Sequence, residues 1–228
     1  MVEILPAIIE DTFSEVKKKI ELAAPFVTWV QVDVADGVFV PRATWTRIED
    51  MNTLDEGHRG GEAGRREVRI DLHAMVADPM SFIERAQGIK RISRITFHYE
   101  SVRNHEEVIR AIKAIGREAG IAVNPETGIE QVIRLLPLTD ALLVMGVHPG
   151  WGGQSFIPET CDKIRAFRKA IPEAVIGADG GIHLATGSAQ AAMEAGADYL
   201  VVGSDIFGAA HPGEMIQRLQ RLTPIGIN

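Results

Sequence analysis

The stretch WVQVDVADG, residues 29–37, is where the fold can first be read. Val30, Val32 and Val34 alternate with Gln31, Asp33 and Ala35. Side chains alternate faces along a strand, so Gln31, Asp33 and Ala35 point the same way. A run this apolar that sends an amide and a carboxylate to one side predicts a shared polar interior. Seven further β-rich runs accompany it, giving strands at Glu3–Leu5, Val27–Val34, Val68–Leu72, Ile95–His98, Ile121–Val123, Ala141–Met145, Val175–Ala178 and Tyr199–Val202. Helical spacing fills the gaps: Val108, Ile109, Ile112 and Ile115; Val132, Ile133, Leu135 and Leu136; Ile164, Phe167 and Ile171; Met215, Ile216, Leu219 and Leu222. Strands separated by helix-length segments pair in parallel through crossovers. Eight such units favour a (β/α)8 TIM barrel, although an open doubly wound sheet meets the same pattern.

The bulk properties agree. The chain has 228 residues, 46% of them hydrophobic, enough to bury a substantial core as one barrel domain over 1–228. Its net charge of −7 and lack of a basic tract argue against nucleic-acid and anionic-membrane partners. Cys161 is the sole cysteine, which excludes an internal disulfide and a thiolate zinc cluster and points to a reducing, cytoplasmic setting. MVEILPAIIED does not read as a signal peptide, and no apolar run approaches a membrane span. Residues 52–67, NTLDEGHRGGEAGRRE, interrupt the rhythm and read as a solvated polar loop.

In a barrel of this kind the active site lies at the C-terminal ends of the strands. Polar residues recur there: Asp33 and Asp36, His73, His98 and Glu100, Asn124, Asp179, and Ser204. Glycines cluster at the late exits, with Gly150, Gly152 and Gly153 after strand 6, Gly180 and Gly181 after strand 7, and Gly203 after strand 8. Glycine lets backbone N–H groups approach an anion, and a helix opening near Gly203-Ser204 would favour a phosphate there. Asp33, His73 and Asp179 face one cavity if the barrel closes. Two carboxylates and an imidazole suit a divalent cation such as Zn²⁺, Mn²⁺ or Fe²⁺. Carboxylates on opposite sides of a sugar also suit proton removal from one face and return to the other.

The motifs ILPAI, VDVADGVFVP, DLHAMVADP, TFHYE, AVNPET, VMGVHPGWGGQSFI, ADGGI and VVGSDIF stand in this order along nearly the whole chain. In these the chain resembles the ribulose-phosphate 3-epimerase family. The resemblance implies a (β/α)8 barrel of the ribulose-phosphate-binding type. It further implies interconversion of D-ribulose 5-phosphate and D-xylulose 5-phosphate through a metal-stabilised enediolate. Asp33 and Asp179 fall on the family's acid–base pair, and with His73 on its metal ligands. Gly152, Gly153, Gly180, Gly181, Gly203 and Ser204 fall on phosphate-binding positions. Met75 and Met145 match methionines that line the pocket, beside His73. The resemblance also implies a homo-oligomer.

The match departs at the reacting end. Gln31 stands where the family has a histidine ligand, and as a neutral oxygen donor it would suit Mg²⁺ or Mn²⁺ better than Zn²⁺. Ala7 replaces a substrate-contacting serine and Ala35 a pocket methionine, which would leave extra room for the sugar. Arg42, Thr46 and His148 replace Asn, Gly and Asn or Glu, and His148 could lie near the cavity and supply a further ligand or hydrogen bond. Two other functions are therefore open: an epimerase for a different ketose phosphate, and a non-catalytic phosphosugar-binding paralogue. An orotidine-phosphate-type decarboxylase is disfavoured, because DVADG lacks the lysine of its Asp-x-Lys-x-x-Asp run.

Overall fold

The computed structural model describes residues 2–58 and 68–223. Eight parallel strands close into a barrel in chain order: β1 Glu3–Ile8, β2 Trp29–Ala35, β3 Arg69–Met75, β4 Ile92–His98, β5 Glu118–Val123, β6 Ala141–Met145, β7 Ile176–Asp179 and β8 Tyr199–Val202. Pairing of β1 with β8 closes the ring and rules out the open sheet. The helices pack outside: α1 Phe13–Ala23, α2 Pro79–Ala86, α3 His105–Ala114, α4 Ile129–Val132, α5 Thr160–Ala170, α6 Ser188–Ala195, α7 Ser204–Phe207 and α8 Pro212–Gln220. Three long helices turn predicted apolar residues inward: Val108, Ile109 and Ile112 of α3, Ile164 and Phe167 of α5, and Ile216 and Leu219 of α8. Among the described residues, no helix is long and apolar enough to cross a membrane.

The polar reading of 52–67 is corrected over its first part. Residues 52–58 belong to a 3₁₀ helix, Ile48–His58, that takes the place of a helix between β2 and β3. A 3₁₀ helix repeats every three residues, so Ile48, Met51 and Leu54 line one stripe, and all three are buried. Their spacing is hidden among polar neighbours and escapes a search at period 3.6. Residues 59–67 lie outside the described residues.

Register decides what meets inside the barrel. Gln31 pairs with Asp71, Asp33 with His73 and Ala35 with Met75, so β2 and β3 present matching polar layers. Met145 pairs with Asp179, carrying the upper layer to β7. Below it lies a second charged layer. Asp71 accepts from Thr96 Oγ1 at 2.7 Å and from Arg94 Nη1 at 3.3 Å. Arg94 also donates to Glu118 Oε2 at 2.9 Å, and its guanidinium lies 4.7 Å over the Trp29 ring. Room for the Tyr199 ring on the other side comes from Gly177, where a Cβ would stand 2.1 Å from the ring. Burial pushes the Asp71 carboxyl up, against the pull of Arg94.

Removing one partner of a buried ion pair leaves the other charge without compensation. Arg94→Met is expected to destabilise the protein by about 3–5 kcal/mol in urea unfolding. Adding Asp71→Asn should recover part of that loss. Strictly additive losses in the double mutant would contradict this account of the layer.

Candidate active site

The upper layer brings Asp33, His73 and Asp179 together, as the sequence predicts. Their ligand-capable atoms all lie within 4.8 Å of one another. His73 Nδ1 stands 2.9 Å from Asp33 Oδ1 and 3.6 Å from Asp179 Oδ2. On its other side His73 Nε2 meets His98 Nε2 at 2.9 Å, and the two rings stack with centroids 5.0 Å apart. His98 Nδ1 lies 3.5 Å from Glu100 Oε2. Glu100 is itself fixed by the Asn124 amide N–H at 2.9 Å and by the Thr127 hydroxyl. A chain of polar groups thus runs from Asp33 through two imidazoles to Glu100. The sequence marks His98 and Glu100 only as strand-end residues; their link to His73 depends on the β3–β4 register.

Charge is unevenly spread along this chain. Burial and the neighbouring Asp33 charge push the Asp179 carboxyl up to about 7. Burial works against the His73 cation, but the Asp33 hydrogen bond and the nearby carboxylates outweigh it and raise its pKa. Burial, with His73 adding to it, pushes His98 down to about 4, so His98 is neutral. Two facing nitrogens need one donor and one acceptor. A neutral His98 that accepts at Nε2 receives the His73 Nε2–H and leaves Nδ1 of His73 turned to the carboxylates. Such outer support of an imidazole is what a metal-ligating histidine requires.

Asp33, His73 and Asp179 therefore suit a divalent cation in donor type. Gln31 does not join them in the expected way. It is fully buried, and its Nε2 donates to Asp33 Oδ1 at 2.8 Å and to Asp179 Oδ2 at 2.8 Å, with His73 Nδ1 at 3.2 Å. Its Oε1 is buried and makes no hydrogen bond. Two carboxylates attract an NH2 and repel an amide oxygen, so the expectation of Gln31 as an oxygen ligand is not what the packing presents.

A cavity of about 480 Å³ opens above this layer, lined at its floor by Asp33, Asp179, Met75 and Met145. His73 is 1% exposed and lies behind the acids, so it touches them and not the cavity. Gly152, Gly153, Gly180, Gly181, Gly203 and Ser204 line the other end. Gly180 and Gly181 have φ of +96° and +67°, which favour glycine, and a Cβ on Gly181 would stand 2.4 Å from the Phe156 nitrogen. The helix that opens at Ser204 has one turn, so backbone N–H groups rather than a long dipole carry any anion preference there. Among the described residues that line the cavity, Lys19 of α1 is the one Lys or Arg; it pairs with Glu10 and lies 4.7 Å over the Phe207 ring. Nothing in the run EVKKK distinguishes Lys19 from Lys17 and Lys18.

Two of the departures fall elsewhere than expected. Ala35 is fully buried against Val40 and Met75 and leaves no room for a sugar, whereas Ala7 does line the cavity. Arg42 turns to Asp11 at 3.1 Å. His148 does line the cavity, but at its exposed rim, paired with Glu126 and outside the three-residue cluster.

A model of the family described as "Ribulose-phosphate 3 epimerase family" matches residues 3–207. The rice (Oryza sativa subsp. japonica) protein "Ribulose-phosphate 3-epimerase, cytoplasmic isoform" is 35% identical, over 96% of this chain and 93% of the relative. The Schizosaccharomyces pombe ribulose-phosphate 3-epimerase is 32% identical, over 96% and 92%. Two solved structures share the fold. The tryptophan synthase α-subunit of Pyrococcus furiosus has a TM-score of 0.69 at 12% identity, covering 97% of this chain and 96% of that one. The orotidine 5'-phosphate decarboxylase of Pyrococcus horikoshii OT3 has a TM-score of 0.64 at 18% identity, covering 94% and 97%.

The buried neutral His98 has a stability consequence. An unfolded histidine takes up a proton near pH 6.5, whereas folded His98 resists until about pH 4. Between those values the unfolded chain binds more protons at this position, so its contribution to stability falls as pH falls. His73 has the opposite sign, its folded pKa being raised. Comparison of the native protein with His98→Asn isolates the first effect. The native protein should lose roughly 3 kcal/mol more than the variant between pH 6.5 and 4 in denaturant titrations. Parallel pH curves would show that His98 titrates freely in the fold.

Proposed function

This chain belongs to the ribulose-phosphate 3-epimerase family, an isomerase family, and on that premise we propose that it interconverts D-ribulose 5-phosphate and D-xylulose 5-phosphate. The observation that carries the proposal is the pair Asp33 and Asp179, from β2 and β7, meeting at the floor of a cavity whose far end is ringed by glycines. The substrate's phosphate is held by backbone N–H groups around Gly152, Gly153, Gly180, Gly181, Gly203 and Ser204, with Lys19 nearby. Met75 and Met145 flank the carbon chain and keep water from it.

The hydrogen at carbon 3 is acidified by the adjacent carbonyl. One aspartate, ionised, removes it; the other, protonated, returns a proton to the opposite face. Such a pair needs one proton between two carboxyls at neutral pH. The raised Asp179, pushed to about 7 by burial and by Asp33, meets that need. Asp33, His73 and Asp179 would hold a divalent cation (Zn²⁺, Mn²⁺, Fe²⁺ or Mg²⁺), which when bound would offset the negative charge that gathers on the substrate oxygens. His73, supported by His98, keeps Asp33 oriented in either case.

Exchange of the carbon-3 hydrogen of D-ribulose 5-phosphate in D₂O, followed by NMR with and without each added cation, tests the proposal. The native protein should exchange it, and Asp33→Asn and Asp179→Asn should each lower the rate by about 10²–10⁴-fold. Absence of exchange under every condition, alongside binding of the sugar phosphate, would instead identify a non-catalytic binder. At the other end, Gly181→Ala forces a Cβ against Phe156. It should raise KM on the order of tenfold while changing kcat less, as expected for lost substrate binding. An unchanged KM would remove this loop from phosphate recognition.

A further inference from the structure

Gln31 sits among three groups that a cation would need. Its amide nitrogen lies 2.8 Å from Asp33 Oδ1, 2.8 Å from Asp179 Oδ2 and 3.2 Å from His73 Nδ1. An NH2 group has two hydrogens, and two carboxylate oxygens at 2.8 Å take both. These are charge-assisted bonds in a buried site, the stronger kind. The amide thereby bridges β2 to β7 and supplies partial positive charge between two acids that would otherwise repel. A cation would bind through the same carboxylate groups and the same imidazole.

We propose that Gln31 is an internal occupant of the metal position. Its amide holds Asp33 and Asp179 in place when no cation is bound, and it competes with a divalent cation for the site they form with His73. The amide nitrogen lies within 3.2 Å of all three atoms, so a cation bound to those same atoms would fall in the space the NH2 fills and would face its partial positive charge. For the cation to bind, the NH2 must withdraw, and that would strand a donor in a buried site, which is costly. The protein therefore keeps its acid pair assembled without metal and binds divalent cations weakly. This inference concerns the cation site alone and does not depend on which ketose phosphate is turned over, so it is tested without substrate.

The test uses the full chain, dialysed against EDTA, beside Gln31→Glu and Gln31→Met. Both substitutions are close to glutamine in length and remove the NH2; only the first adds an oxygen donor. Thermal unfolding and calorimetric titration with Mn²⁺ and Mg²⁺ are the readouts. The native protein should retain no tightly held metal, and its melting temperature should change little on adding Mn²⁺. Both variants should melt lower than the native protein when metal-free. Gln31→Glu should bind Mn²⁺ about 10–100-fold more tightly than the native protein and recover its stability on loading. In ¹⁵N spectra, the Gln31 side-chain NH2 signal should move when Mg²⁺ is driven in at high concentration. Native protein that keeps one equivalent of metal through EDTA, or a Gln31→Glu variant that binds Mn²⁺ no more tightly, would overturn the proposal. If Gln31→Glu does not fold without metal, Gln31→Met decides the matter. A metal-free melting temperature equal to the native one would show that the amide holds nothing together.

Discussion

Two carboxylates share one buried spot inside this barrel, and their mutual repulsion is the constraint around which the upper interior is arranged. Asp33 and Asp179 come from strands on either side of the β8–β1 seam, and the strand ladders fix the backbone from which each carboxylate reaches inward. A buried carboxylate needs a partner or a proton. Here both remedies are used. Asp179 is raised toward neutrality, while the Gln31 amide and the His73 imidazole supply donors to the oxygens that remain charged. The same repulsion that threatens the fold gives the site its unequal acids.

The support extends outward in layers. His73 depends on His98, and His98 stands beside Glu100, which is tied to the start of the loop after β5. Below, Asp71, Thr96 and Arg94 form a separate charged layer, enclosed by the Trp29 and Tyr199 rings. The barrel interior thus carries two polar layers beside an apolar cluster that includes Leu5, Leu143, Met145 and Val201, while the largest apolar core lies between the strands and the outer helices. Packing these charged groups against interior hydrocarbon, with most of the apolar core outside the strands, lets a small barrel carry a reactive floor on a rigid wall.

Much of the architecture was legible in order and spacing alone. All eight strands were visible as β-rich runs, because a parallel strand buried on both faces shows as a nearly continuous apolar segment. Asp33, His73 and Asp179 were identifiable because each breaks such a run near its C-terminal end. The 3₁₀ helix Ile48–His58 was not legible, since its apolar residues recur at three and its neighbours are polar. Ala35 and Arg42 looked like changes at the sugar end, but the first is sealed by Val40 and the second is drawn off by Asp11.

The sequence by itself determined which residue types line the inner face of each strand, because alternation along a strand is a local rule. It could not determine which way the Gln31 amide points. That orientation is decided by Asp179, which lies 148 positions away in the chain and 2.8 Å away in space. Nor could it show that His73 faces two acids on one edge and a neutral imidazole on the other. Those relations depend on strand register and barrel closure, which bring distant side chains to hydrogen-bonding distance and fix who donates to whom.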